Sequence, residues 1–315
     1  MYPYLPAIGP IHIFQLTLGP FSLGTFGLLL WLAAVVATIV LHKNFARKGV
    51  DADAINVVAT VVVAGVIGAK AWHELQNVRE LHFALRLIAA PGWHHPWEVV
   101  ASFLGWFRDG FAWFGGMVAS IAVLMALGHG TRFRGPGWRS IMDPGPVPGA
   151  RLGAMRMLDL AAPAAAIGYG VGRIGCLLAG DGDYGIDTTL PWGVHMAKNA
   201  LVPPVPANAL VQPTPVYELL FSLAVFWLLW RLGERTDSGS YRPVGWLTGL
   251  YLLLSGTGRF LVEFVRINPK LYLHHTLSNA QMAAAASVLV GAIAIAAAQR
   301  MRVSWPPAPQ EKMAA

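Results

Sequence analysis

Ionisable side chains set inside long apolar runs are the residues of this sequence best placed to do chemistry. Arg173 lies within Gly168-Tyr-Gly-Val-Gly-Arg-Ile-Gly-Cys176, and Arg259 and Glu263 lie within Gly258-Arg-Phe-Leu-Val-Glu-Phe-Val-Arg266. A charge at the centre of a bilayer costs about 2.5–3.5 kcal/mol or more, so such residues point by default to a site. A guanidinium facing a cavity offers a planar fork of donors suited to phosphate. Arg259 and Glu263 are four residues apart and share a helix face, which Arg266 extends. Two cations at comparable depth therefore predict a site for an anion. The competing reading is a structural ion pair for Arg259 with Glu263, and for Arg173 either an ion pair or an arginine reaching back to the outer interface. Glycines 168 and 172 form a small-xxx-small pair that predicts close approach of another helix.

Other candidates carry less specific signals. Tyr217 and Glu218 close the run Gln212-Pro-Thr-Pro-Val-Tyr-Glu218, where prolines and an acid also suit an ordinary helix start. Cap and function stay open there. Asp181 and Asp183, in Gly180-Asp-Gly-Asp-Tyr-Gly185, lack the regular ligand spacing of a calcium loop and read as a turn. Cys176 has no adjacent base and reads as a small buried packing residue. His94, His95, His274 and His275 lack metal-ligand spacing and read as interface residues.

The elements that must carry these residues are membrane helices. Of 315 residues, 55% are hydrophobic and only 12% charged, whereas soluble domains carry about 25% charged residues. Spans of roughly 20 apolar residues are predicted at about 21–41, 54–72, 111–127, 158–178, 215–230, 245–264 and 280–298. The fold class is an all-α integral membrane bundle of seven helices. The chain reads as one transmembrane domain over 1–305, followed by a disordered Pro-rich tail over 306–315. The first apolar span has no basic segment before it and is expected to stay in the mature protein.

Charge gives the orientation. Lys43, Arg47 and Lys48 follow the first span, Arg132, Arg134, Arg139, Arg151 and Arg156 the third, and Arg231, Arg235 and Arg242 the fifth. Arg300, Arg302 and Lys312 follow the last. The positive-inside rule then places the C-terminus in the cytoplasm and the N-terminus outside. The same distribution accounts for the net charge of +7 without nucleic acid. Residues 73–110 mix His, Trp and apolar side chains and read as an amphipathic segment at the interface. Residues 180–215, rich in Gly, Asp and Pro, read as a small extracytoplasmic cap. A single cysteine excludes an internal disulfide.

Taken together, these segments resemble the phosphatidylglycerol–prolipoprotein diacylglyceryl transferases, bacterial enzymes of the cytoplasmic (inner) membrane that begin lipoprotein modification. Gly19-Pro-Phe-Ser-Leu-Gly-Thr-Phe-Gly27 looks like the family's entry to the first span. Phe114-Gly-Gly116 falls where the family has His-Gly-Gly. Gly172-Arg-Ile-Gly-Cys-Leu-Leu-Ala-Gly180 with Tyr184-Gly185 is the most specific match. Gln212–Glu218 and Gly258–Arg266 are similar to two further motifs, and all five occur in order.

The resemblance implies transfer of the diacylglyceryl group of phosphatidylglycerol to the lipobox cysteine of a prolipoprotein signal peptide. Glycerol phosphate leaves, with no metal or organic cofactor. It implies catalytic roles for Arg173, Arg259 and Glu263, and substrate contacts from Gly115, Gly116, Asp181, Gly185, Tyr217, Glu218 and Arg266. Four positions depart from the pattern. Phe114 stands for a histidine, Phe26 for a tyrosine, Cys176 for an asparagine, and Ser255 for a tyrosine four residues before Arg259. A general base is therefore not assigned by analogy. A paralogous transferase with another acceptor, and a non-enzymatic lipid-binding or transport protein, are the alternatives. The missing repeat symmetry counts against transport.

Overall fold

The computed structural model describes residues 11–13, 16–18, 24–90, 94–108, 112–133, 151–180, 184–195, 209–234, 242–272, 274–303 and 305. Each of the seven apolar segments contains a helix: α1 (Thr25–Lys48), α2 (Ala54–Gln76), α5 (Trp113–Gly130), α6 (Ala154–Ala179), α7 (Thr214–Leu232), α8 (Trp246–Val262) and α9 (Asn279–Met301). Two further helices, α3 (Val78–Ala89) and α4 (Pro96–Arg108), occupy the segment expected to be amphipathic. Five helices, α1, α2, α6, α7 and α9, are long and apolar enough to cross a membrane, and Phe114–Gly130 is a shorter apolar helix.

Several helices run past the predicted spans. Helix α1 continues to Lys48 and α2 to Gln76. The apolar run ends where hydrocarbon would end, but backbone hydrogen bonding continues until a cap stops it. For α1 that cap is Gly49 in the left-handed region (φ 63°), where a side chain would be strained. Helix α2 starts at Asp53, whose carboxylate accepts from the Ile55 amide. Helix α9 starts with a reciprocal capping box between Ser278 and Gln281. Helix α8 stops short of the predicted end and tightens into a 3-10 turn over Glu263–Val265.

Helix α6 is the centre. Half of its most apolar stretch is buried, against 17–28% for the other four long apolar helices. It packs against α1, α5, α7 and α8. Two tightly packed pairs flank it. In α2–α5, a Cβ on Gly68 would lie 2.6 Å from the Gly115 carbonyl oxygen; in α8–α9, one on Gly256 would lie 2.7 Å from that of Ala284. Glycine permits these contacts because only hydrogen separates the backbones.

The expected close approach at Gly168 and Gly172 is corrected by the structure. A Cβ at Gly168 would make ordinary contact with Ala37, and one at Gly172 would meet nothing within 4 Å. The crowded glycines of α6 are Gly170, facing Ser222 of α7, and Gly175, facing Leu29 and Phe26 of α1. A four-residue spacing marks a possible seam but not the face the neighbour takes.

The N-terminal end of α6 is fastened to α8. Buried Asp159 accepts from the Gly245 amide at 2.6 Å, the Thr248 amide at 2.8 Å and the Thr248 hydroxyl at 2.6 Å. A carboxylate from one helix thus caps the first turn of another. Nearby, Asn44 donates to the Leu160 carbonyl at 2.7 Å, and Arg47 stacks 3.9 Å over Trp230. Trp305 is buried there too, with the Lys48 ammonium 5.0 Å from its ring centroid. The tail from Pro306 lies outside the described residues.

Candidate functional site

At the opposite end of α6, three helices bring their ionisable residues together. Arg173 lies about 9 Å inside the C-terminal end of α6, counting six residues at ~1.5 Å each. Glu218 lies in the second turn of α7, and Arg259 in the last turn of α8. Alternating chain direction is what puts a C-terminal arginine, an N-terminal glutamate and another C-terminal arginine at one level.

Glu218 is the hub. Its Oε2 lies 3.1 Å from Arg173 Nε and 3.4 Å from Arg266 Nη1, and its Oε1 lies 3.0 Å from Arg259 Nη1. Tyr169 donates its hydroxyl to the same Oε1 at 2.6 Å and accepts from Arg173 Nη2 at 2.8 Å. Glu263 forms a second, deeper node. Its Oε2 lies 2.9 Å from Arg259 Nη2 and 3.7 Å from Arg266 Nε. Its Oε1 accepts from Asn268 at 2.6 Å and from Ser278 at 2.8 Å. Ser278 also caps α9, so the node is tied to the frame of the bundle.

Exposure grades this cluster. The side chains of Glu263, Glu218 and Arg266 are 0%, 4% and 4% exposed, while Arg173 and Arg259 are 14% and 25% exposed. The carboxylates and Arg266 form a floor, and the other two guanidiniums face outward from it. Among the described residues of the cluster, three arginines meet two glutamates, one positive charge more than negative. Buried pairs of this kind add little to stability once desolvation is counted. Their effect is to hold the guanidinium forks in fixed orientations ready for an anion.

The predicted residues divide clearly. Arg173, Arg259, Arg266, Glu218 and Glu263 converge. Glu218 is no helix cap, because its oxygens go to arginines. Tyr217, one residue earlier, faces elsewhere, accepting from Trp192 Nε1 at 2.7 Å and donating to Gln212 at 3.1 Å. Gly115 and Gly116 pack α5 against α2, where Gly68 and Gly65 meet them backbone to backbone. Gly185 threads between two strands of chain: its amide donates to the Gln212 carbonyl at 2.9 Å and it bridges Arg266. A Cβ there would lie 2.5 Å from the Val265 carbonyl oxygen, so this glycine brings residues 184–187 close to Arg266. Asp181 and Asp183 lie outside the described residues.

The Cys176 reading is corrected. Its side chain is only partly buried, and Arg173 Nη1 donates to its sulfur at 3.5 Å. Three residues along a helix place it beside the arginine rather than in the packed core. Phe26 and Phe114 are 43% and 40% exposed at the same end. Tyr169 was missed by sequence reasoning, although its four-residue spacing from Arg173 placed both on one face. Lys70 was missed as well. It is buried against Glu74 at 2.8 Å, donates to the Trp106 carbonyl at 2.7 Å, and so fastens α4 to α2.

Comparison with known sequences adds an independent line. The family description prolipoprotein diacylglyceryl transferase matches residues 12–297. The chain is 26% identical over 268 residues to the phosphatidylglycerol–prolipoprotein diacylglyceryl transferase of Clostridium tetani, covering 84% of this chain and 89% of that protein. The enzyme of the same name from Leifsonia xyli is 26% identical over 312 residues, covering 97% and 84%. That of Nitratidesulfovibrio vulgaris is 34% identical over a shorter stretch of 115 residues, covering 36% and 39%.

Proposed function

Because the chain belongs to the prolipoprotein diacylglyceryl transferase family, we propose that it moves the diacylglyceryl group of phosphatidylglycerol to the lipobox cysteine of prolipoproteins. The observation that carries the reading is the convergence of Arg173, Arg259 and Arg266 on Glu218 and Glu263, with one positive charge in excess among the described residues. A phosphodiester headgroup carries one negative charge and would neutralise it.

The two more exposed arginines, Arg173 and Arg259, bind the phosphate, while Glu263 keeps Arg259 oriented. The cysteine sulfur attacks the glyceryl carbon, the carbon–oxygen bond breaks, and glycerol phosphate departs with the bonding electrons. The thiol gives up its proton to a group other than positions 26 and 114, where phenylalanine accepts none. Charge on the phosphate rises as the bond breaks, and the fixed guanidiniums stabilise that increase more than the bound lipid. Glu218 and Arg266 form the floor. Gly185 with Asp181, Tyr217, and the glycines 115 and 116 shape the surroundings.

We further propose seven membrane crossings with the N-terminus outside and the C-terminus in the cytoplasm. The site then lies near the outer face of the bacterial inner membrane, under a cap formed from residues 180–215. Helices α3 and α4, with Phe83 and Trp97 65% and 82% exposed, lie at the interface. One domain spans residues 1–305. Lipid and signal helix enter sideways, through openings between helices.

The test incubates purified protein with phosphatidylglycerol and a lipobox peptide, then reads the peptide by mass spectrometry. A diacylglyceryl increment on cysteine is expected. Phe26 and Phe114 favour one second reading, a transferase with another acceptor. An adduct confined to a different nucleophile would select it.

A further inference from the structure

The geometry points to Tyr169 as a positioning residue for the transfer, an inference that rests on the proposed function. An arginine and a carboxylate left to themselves close into a fork with two parallel bonds, the strongest arrangement available to them. Arg173 and Glu218 do not. Nε of Arg173 reaches Oε2 directly at 3.1 Å, but Nη2 meets the Tyr169 hydroxyl at 2.8 Å, which donates to Oε1 at 2.6 Å. The hydroxyl is inserted into one tine of the fork. The ring also lies under the guanidinium, with Cζ 4.8 Å from its centroid.

Two consequences follow from this interposed oxygen. Glu218 Oε1 stays shared with Arg259 at 3.0 Å instead of being claimed by Arg173. Arg173 meets Glu218 directly only through the ion-pair contact of Nε with Oε2 at 3.1 Å, so the two do not form a closed pair. Tyr169 therefore keeps Arg173 oriented yet transferable to the leaving phosphate as its charge grows. Removing the hydroxyl lets Arg173 close on Glu218 and draws it from the phosphate when it is most needed. No proton moves through Tyr169 in this role. The sulfur–carbon bond forms and the carbon–oxygen bond breaks as before.

The test compares wild type with Tyr169→Phe on two donors. One is phosphatidylglycerol. The other is the p-nitrophenyl ester of the same phosphatidic acid, which releases a less basic phosphate monoester. With phosphatidylglycerol, kcat of Tyr169→Phe is expected to fall about 10- to 100-fold, the loss from one well-placed hydrogen bond to a charged group, while KM for the lipid stays within about 3-fold. With the nitrophenyl donor the defect is expected to shrink several-fold, because less charge needs stabilising; turnover there also shows the variant to be folded. Undiminished kcat on phosphatidylglycerol would overturn the inference alone. So would an equal loss on both donors, or a change confined to KM, since a merely structural role predicts these. Wild-type protein inactive with both donors would remove the proposed function and this inference together.

Discussion

The two ends of α6 handle buried charge in opposite ways. Asp159 at one end and Arg173 at the other are fourteen residues apart, roughly 21 Å along the helix. Asp159 accepts three hydrogen bonds from the first turn of α8. At the Arg173 end, one carboxylate is shared by three guanidiniums, and among the described residues the cluster keeps a surplus positive charge. A saturated acceptor is a fastening. A shared, surplus-charged cluster has reason to receive a ligand. Lys70 with Glu74 resembles the first case, a buried pair at 2.8 Å that helps to fasten α4 to α2.

The comparison breaks most directly at Arg173. Arg173→Ala is expected to lower transfer by about 100- to 1000-fold, or roughly 2.7–4 kcal/mol of transition-state stabilisation, with detergent-solubilised protein still folded by size-exclusion chromatography. Retained transfer in this variant would remove the site assignment. Next comes Arg259→Lys, which keeps the charge but loses the planar fork between Glu218 and Glu263. A loss of about 10- to 100-fold in kcat/KM is expected, and a near-normal value would show that charge alone suffices.

Asp159→Asn tests the fastening end. Losing a charge-assisted cap is expected to cost about 1.5–3 kcal/mol of stability, read as a lower thermal unfolding midpoint. Turnover per folded molecule should stay within about 2-fold. A large loss of turnover would mean the two ends are not separable. The smallest effects belong to the glycines. Gly68→Ala forces a Cβ to 2.6 Å from the Gly115 carbonyl oxygen and is expected to destabilise by about 1–3 kcal/mol. Gly172→Ala, with open space around it, is expected within about 0.5 kcal/mol of wild type. Equal midpoints for the two variants would refute the packing assigned to α2 and α5.

Much of the helical architecture is legible in the residue order. Apolar runs of the length a bilayer needs became helices, since backbone groups in such runs must be satisfied internally. Arg173, Arg259 and Glu263 were legible because a charge inside such a run is costly to bury and points by default to a site. The Arg259–Glu263 pair was readable from its four-residue spacing and is present at 2.9 Å. Glu218 was not decidable. A glutamate in the opening turns of a helix serves as a dipole partner or as a ligand, and only its neighbours in space distinguish the two. Tyr169 escaped notice because tyrosine in an apolar helix is unremarkable until something charged faces its hydroxyl.

What the sequence determined by itself is therefore one-dimensional. It set which stretches are helices, which residues are costly to bury, and which lie one turn apart. The tertiary structure decided which carboxylate each guanidinium meets, that a hydroxyl stands between Arg173 and Glu218, and which glycines are crowded. The physical reason is that spacing along a helix fixes neighbours within that helix. Contacts between helices depend on rotation and depth, which are set by the packing of all faces at once.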